Sequence, residues 1–298
     1  MSIYSGIAPD ARRCVGLFSI GRVRADILAG VRLRLSPMLT TLFLIVCSLF
    51  PSVQDGKPPG KEQVASICET LSKALDKNAS VEDAVRALRA AAEAVDPRVI
   101  ELIDAKGLHH ADPSVRDAAV DALGRMPHAD ALKALHDALK RDKKELQEAP
   151  PRYAALLRAI ARHGKESSIP DLVEDAFQSS DRQLITARIL GLGRIRSTKS
   201  VDELIQLVRS SHRSWEGSQM SDFRLALVVL TGVDKGTDRQ LWSNWYGDNK
   251  AKIVVAAVPP ELPPDLRKRW NSYWGVADER AKGEDKNDGA REGKGNEK

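Results

Sequence analysis

The chain has 298 residues, 42% of them hydrophobic, enough to bury a sizeable core in one elongated domain or two compact ones. Aromatic residues make up only 5% while Ala and Leu recur throughout, which sets helix packing above a β sandwich. The formal charge of +5 invites a nucleic-acid reading, but residues 55–298 hold 40 basic and 39 acidic side chains, so the surplus belongs to the N-terminal stretch and the body is neutral.

Residues 1–37 carry six Arg against two Asp, and 38–54 carry no charged side chain. The apolar run MLTTLFLIVCSLF (38–50) is too short for a bilayer core of about 30 Å, which needs roughly 20 residues. It fits the apolar region of a secretory signal, with small Ser52 two positions before a cut after Gln54. The expectation is a signal segment over 1–54, a mature chain from near Asp55 outside the cytoplasm, periplasmic or secreted, and a linker over 55–60. The alternatives are an uncleaved apolar anchor or an ordinary buried helix. Val46 stands where lipidation of Cys47 would want a small residue. The long stretch before the apolar run leaves both Met1 and Met38 open as starts. Without Cys14 and Cys47, Cys68 is alone, cannot form an intramolecular disulfide, and reads as packed.

Internal repetition dominates residues 61–255. PSVRDAAVDALGRMPHADALKALHDAL (113–139), PRYAALLRAIARHGKESSIPDLVEDAF (151–177) and QLITARILGLGRIRSTKSVDELIQLV (183–208) align. Small residues four apart open each copy: Ala118 and Ala122, Ala155 and Ala159, Ala187 and Gly191. Large ones follow: Val120 and Leu123, Leu157 and Ile160, Ile189 and Leu192. After a turn containing Gly124, Gly164 or Gly193, a second segment is apolar at Leu132, Leu135 and Leu139, at Ile169, Leu172 and Ala176, and at Val201, Leu204 and Val208. Weaker copies start at 81–90, with Val85 and Leu88, and at 223–232, with Leu227 and Leu230. Both segments have helical period, so each unit predicts two antiparallel helices. One such pair cannot cover its own apolar face, and the units must stack.

The segment PSVRDAAVDALG (113–124) resembles the first helix of the HEAT-repeat family, with Pro113, Val115, Arg116 and Gly124 in place. The later copies are degenerate, since Arg152 and Gln183 replace the valine. The resemblance extends over about two thirds of the chain. It implies an all-α, right-handed α-solenoid of about five helical hairpins; such repeats serve as scaffolds, adaptors and occasionally enzymes, and the leading expectation is a non-enzymatic scaffold that binds a protein or peptide along its surface. A fold of this kind does not name its function.

The last unit, over 223–255, departs from the pattern. Asp238 reads as an N-cap, and Leu241, Trp242, Trp245 and Tyr246 form an apolar stripe on the helix that follows. An open solenoid end needs an atypical closing unit, so Trp242, Trp245 and Tyr246 read as a structural cap; an exposed aromatic binding face is the other reading. Repeat proteins from bacterial secretory genes are similar here, closing with Thr-Gly and a Trp-x-x-Trp helix. Beyond, 256–275 combines paired prolines with a short helix bearing Trp270, Tyr273 and Trp274, which either folds back onto the last repeat or docks to a partner. Residues 276–298 are charged and free of aromatics, and read as disordered.

No phosphate loop, dinucleotide fingerprint, G-x-S-x-G or HExxH occurs. His109 and His110 are adjacent and would point apart on a helix; His128 and His136 are too far apart to chelate together. The expectation is therefore no catalytic residue, no cofactor and no metal, in a monomer without a stable membrane span. KRDKKELQ (140–147) reads as an exposed helix end. The candidate recognition element is the insertion RSSHRSWEGSQMSD (209–222), which sets His212, Arg213 and Trp215 among small polar residues; a tolerated insertion is the plain alternative. Two other functions stay open. One is a nucleic-acid-binding solenoid resembling the HEAT-like alkylpurine DNA glycosylases, with a concave stripe of Arg125, Arg158, Arg162, Arg194 and Arg196. The other is a lyase-type enzyme on a helical-repeat scaffold.

Overall fold

The computed structural model describes residues 60–176, 180–210 and 218–276, all within one compact unit, Pro58–Lys298. The expected signal segment with its apolar run, most of the linker, and the tail beyond Val276 lie outside the described residues. Among the described residues there are twelve α-helices and no strand.

In chain order they are α1 (Lys61–Ala74), α2 (Val81–Ala91), α3 (Pro97–Leu102), α4 (Pro113–Arg125), α5 (Ala129–Glu148) and α6 (Pro150–Arg162). Then come α7 (Ile169–Val173), α8 (Arg182–Arg194), α9 (Thr198–Ser210), α10 (Ser218–Thr231), α11 (Arg239–Asn249) and α12 (Pro264–Trp274). Helices α2, α4, α6, α8 and α10 pack one upon the next and form a first row. Each is followed by a partner: α3, α5, α7, α9 and α11. The result is five hairpins stacked in chain order, an all-α HEAT-like solenoid, with α1 laid against α2 and α3 at the start.

Local chemistry sets the helix starts. Asp112 accepts the backbone N–H of Ser114 at 2.7 Å, with Pro113 at the first helical position of α4. Asp181 caps α8 by accepting from Leu184 at 2.8 Å, and Asp238 caps α11 through Gln240 and Leu241. These carboxylates satisfy amides that have no intrahelical acceptor. The exits of α4 and α8 are alike: Gly-Arg ends the helix, and Met126 or Ile195 turns extended with its side chain buried.

The row is held together by small residues. Gly124 and Gly193 lie inside α4 and α8, not in the turns their spacing suggested. A Cβ on Gly124 would stand 2.7 Å from the Ala159 Cβ, and one on Gly193 would stand 2.9 Å from the Ala226 Cα. Their task is close approach of neighbouring backbones, which lets the large residues interdigitate. Gly164 does occupy a turn, with φ of +63°, a region that favours glycine.

Core placement follows the repeat. Leu88, Leu123, Leu157, Ile160, Ile189, Leu192, Leu227 and Leu230 are buried, as are the apolar residues of the second segments. Val85, Ala118 and Val120 are only partly buried, since they sit at the flank of the row. The third hairpin is the irregular one: α7 stops at Val173, short of the expected reach to Ala176, and Asp175 adopts a φ of +54°. Cys68 is a free thiol, half-buried against the core.

Candidate functional site

The insertion residues His212, Arg213 and Trp215 lie outside the described residues. Their flanks are α9 and α10. At the end of α9, Arg209 donates to the Ser243 carbonyl at 3.1 Å, and its guanidinium stands 5.2 Å from the centre of the Tyr246 ring.

The aromatic stripe of α11 is turned inward. Trp242 is fully buried, and its indole N–H donates to the Gly236 carbonyl at 2.8 Å. Trp245, partly buried, meets it edge to face with centroids 5.7 Å apart. Tyr246 is buried and its hydroxyl donates to Asp202 of α9 at 2.7 Å; burial, the main cause, and the Asp202 charge push the phenol upward. Leu241 departs from the expected stripe. It is 50% exposed.

Helix α12 reaches further than the last repeat, onto which it was expected to fold. Arg269 pairs with Asp222 of α10, Tyr273 lies over Arg158 of α6 at 4.9 Å, and Trp274 lies over Arg194 of α8 at 5.5 Å. Trp270 and Trp274 are buried. Asp222 is wholly buried and also accepts from Thr186 at 2.9 Å and pairs with Arg182 at 2.6 Å. A carboxylate this deep requires such partners.

The five arginines expected on one stripe separate. Arg158 is under Tyr273. Arg125, Arg162 and Arg194 end the helices α4, α6 and α8, where a cation also complements the helix dipole, and Arg196 follows α8 directly. These four line the edge formed by the turns between paired helices. Arg125 and Arg162 share one carboxylate, Asp121, at 2.9 and 2.6 Å. Burial pushes the Asp121 carboxyl up, but the two guanidiniums outweigh it and hold it below the usual range. Arg196 donates to the Val229 carbonyl at 3.0 Å and to that of Ala256.

Two clefts open along this edge. The first, about 490 Å³, is lined by Arg125, Pro127, Leu132, Arg162, His163 and Lys165 among others. The second, about 350 Å³, shares Arg162 and continues past Arg194 and Arg196 to Val229, Pro259 and Trp270. His163 bonds the Leu123 carbonyl at 3.2 Å through Nε2, and burial pushes its imidazole below the ordinary histidine value.

One constellation escaped the sequence. His136 of α5 places Nε2 3.0 Å from the Ser168 hydroxyl and Nδ1 2.7 Å from Asp171, the connectivity of an acyl-transfer triad. The serine is not open to solvent in this arrangement. Ser168 is 0% exposed, its own N–H is bonded to the Lys165 carbonyl, and none of the three residues lines either cleft. The three side chains tie α5 to the start of α7. The only sequence hint was Ser-x-x-Asp at 168–171, which reads equally as a helix start.

The adjacent His109 and His110 lie in a turn after α3, not on a helix; His110 accepts the Asp112 N–H at 3.1 Å. Among the described residues no three His, Cys, Asp or Glu side chains converge as metal ligands, and no helix is long and apolar enough to cross a membrane.

Residues 68–149 match a family model described as HEAT repeats. That stretch takes in the whole of the first two hairpins, and the later, degenerate copies continue the same stack. No curated protein matches the chain.

Proposed function

We propose that the chain is a non-enzymatic scaffold that binds a protein or peptide along its solenoid surface, and that it is exported from the cytoplasm. The observation that carries the binding role is α12, a short amphipathic helix already lying across α6, α8 and α10 through Tyr273, Trp274 and Arg269. A surface that holds one peptide helix in this way has the chemistry to hold another. The nucleic-acid alternative loses its stripe, because Arg158 is covered and Arg125 and Arg162 are paired with Asp121.

Site-specific photo-crosslinking in the native host tests the binding role. With a photoreactive residue placed singly at exposed Arg89, Ala129, Lys133, Lys165 and Gln206, a discrete protein adduct is expected from neighbouring positions on one face. Absence of a discrete adduct at all five contradicts it. The export proposal is supported by the charge-free run at 38–54. N-terminal sequencing of the native protein should find a start near Asp55, whereas an intact Met1 or Met38 in a cytosolic fraction rules it out.

A further inference from the structure

We infer that the two contiguous clefts on the turn edge bind an acidic segment of a partner protein, an inference that rests on the scaffold reading above. The charge there is only partly compensated. Arg125, Arg162, Lys165, Arg194 and Arg196 line the clefts. The carboxylates facing them are Asp121, bonded to both Arg125 and Arg162, and Glu166, held by the Ser197 hydroxyl at 2.5 Å. Among the described residues no carboxylate lies within ion-pair distance of Lys165, Arg194 or Arg196. Arg194 has the Trp274 ring as its partner instead, and burial together with the adjacent Arg162 charge pushes its guanidinium down. The Nη2 of Arg196 is buried without an acceptor among the described residues.

Asp121 neutralises part of the Arg125 and Arg162 charge and pairs with neither Arg194 nor Arg196, and a carboxylate fits the planar donor fork of arginine. The cleft walls add exposed apolar surface: Pro127 and Ala129 in the first, Ala257 and Pro259 in the second. Aliphatic side chains between the acidic residues of a peptide fit such walls. A nucleic-acid strand fits less well. It needs a long basic track and free aromatic rings for stacking, whereas residues 55–298 are near neutral and Trp270 and Trp274 are buried.

Fluorescence anisotropy on the full chain at low ionic strength tests this, with labelled Glu-Glu-Leu-Glu-Glu-Leu-Glu-Glu as the probe. Saturable binding is expected, lost in the glutamine-for-glutamate analogue. Lys165→Glu, at an exposed cleft position that disturbs no ion pair, should weaken binding about tenfold, and Arg162→Gln should do at least the same. Lys133→Glu carries the same charge change on α5 outside both clefts and should alter it less than about twofold. No saturable binding, or equal weakening by Lys165→Glu and Lys133→Glu, overturns the inference. So does tighter, Lys165-dependent binding of an oligothymidylate of equal charge, which would make the ligand a nucleic acid. If the peptide fails while crosslinked partners still appear elsewhere on the solenoid, the cleft assignment falls and the scaffold reading stands.

Discussion

Trp242 and Leu241 are neighbours in the chain with opposite surroundings, and the contrast predicts opposite consequences. Trp242 is 0% exposed and hydrogen-bonded, so Trp242→Ala leaves a large cavity under the last hairpin and should cost about 3–5 kcal/mol in urea unfolding. Leu241→Ala, at 50% exposure, should stay within about 0.5 kcal/mol of wild type. Equal loss from both would mean that α11 packs by a different face. His163 supplies a pH-dependent counterpart. Its folded imidazole takes a proton less readily than in the unfolded chain, which binds one near pH 6.5. The stability that His163 contributes is therefore present above about pH 6.5 and lost as the pH falls below it. Wild type should lose more stability than His163→Gln between about pH 7.5 and 5.5, and parallel losses would contradict the burial of this ring. Single residues were only partly legible in sequence. The spacing of Trp242, Trp245 and Tyr246 marked one helical face, but which of them touches α9 depends on the angle between two helices. The meeting of His136 with Ser168 and Asp171 joins α5 to α7, which local periodicity does not encode.

At the scale of helices, the repeat alignment located the five hairpins because each obeys the same constraint: a small ridge, a large ridge and a polar flank. The glycines misled for a physical reason. Gly124 and Gly193 stand beside turns in sequence, yet contact with Ala159 and Ala226 is what excludes a side chain. The reach of α12 was equally hidden, since its partners Arg158, Arg194 and Asp222 come from three different helices. Asp222 is the tie that this docking adds. Asp222→Ala should lower stability by roughly 1–3 kcal/mol, because it removes the acceptor shared by Arg182, Arg269 and Thr186. Arg269→Ala should cost less, as Arg182 and Thr186 still hold the carboxylate. An Arg269→Ala loss as large as that of Asp222→Ala would mean that α12 carries most of the neutralisation.

At the scale of the whole described unit, the buried frame and the edge proposed for recognition are different parts of one stack. The first row of helices is the frame, each member packed against the next; the ends of its helices and the turns after them carry the arginines and line both clefts. Rigid repeats with function on their connections follow from nearest-neighbour packing, which leaves the connections free to vary. The sequence conveyed the frame well because burial repeats along it. The edge was less legible: Arg125, Arg162, Arg194 and Arg196 could be named as a group, but their sharing of Asp121 and their place at helix ends required the fold. Hydrogen exchange of the full chain, resolved by peptide, tests the stacked frame most directly. Exchange should be slowest in α4, α6 and α8, intermediate in α2 and α10, and fast at the turns 126–128 and 163–167. Uniformly fast exchange across α4, α6 and α8, or protection that does not follow that row, would contradict it.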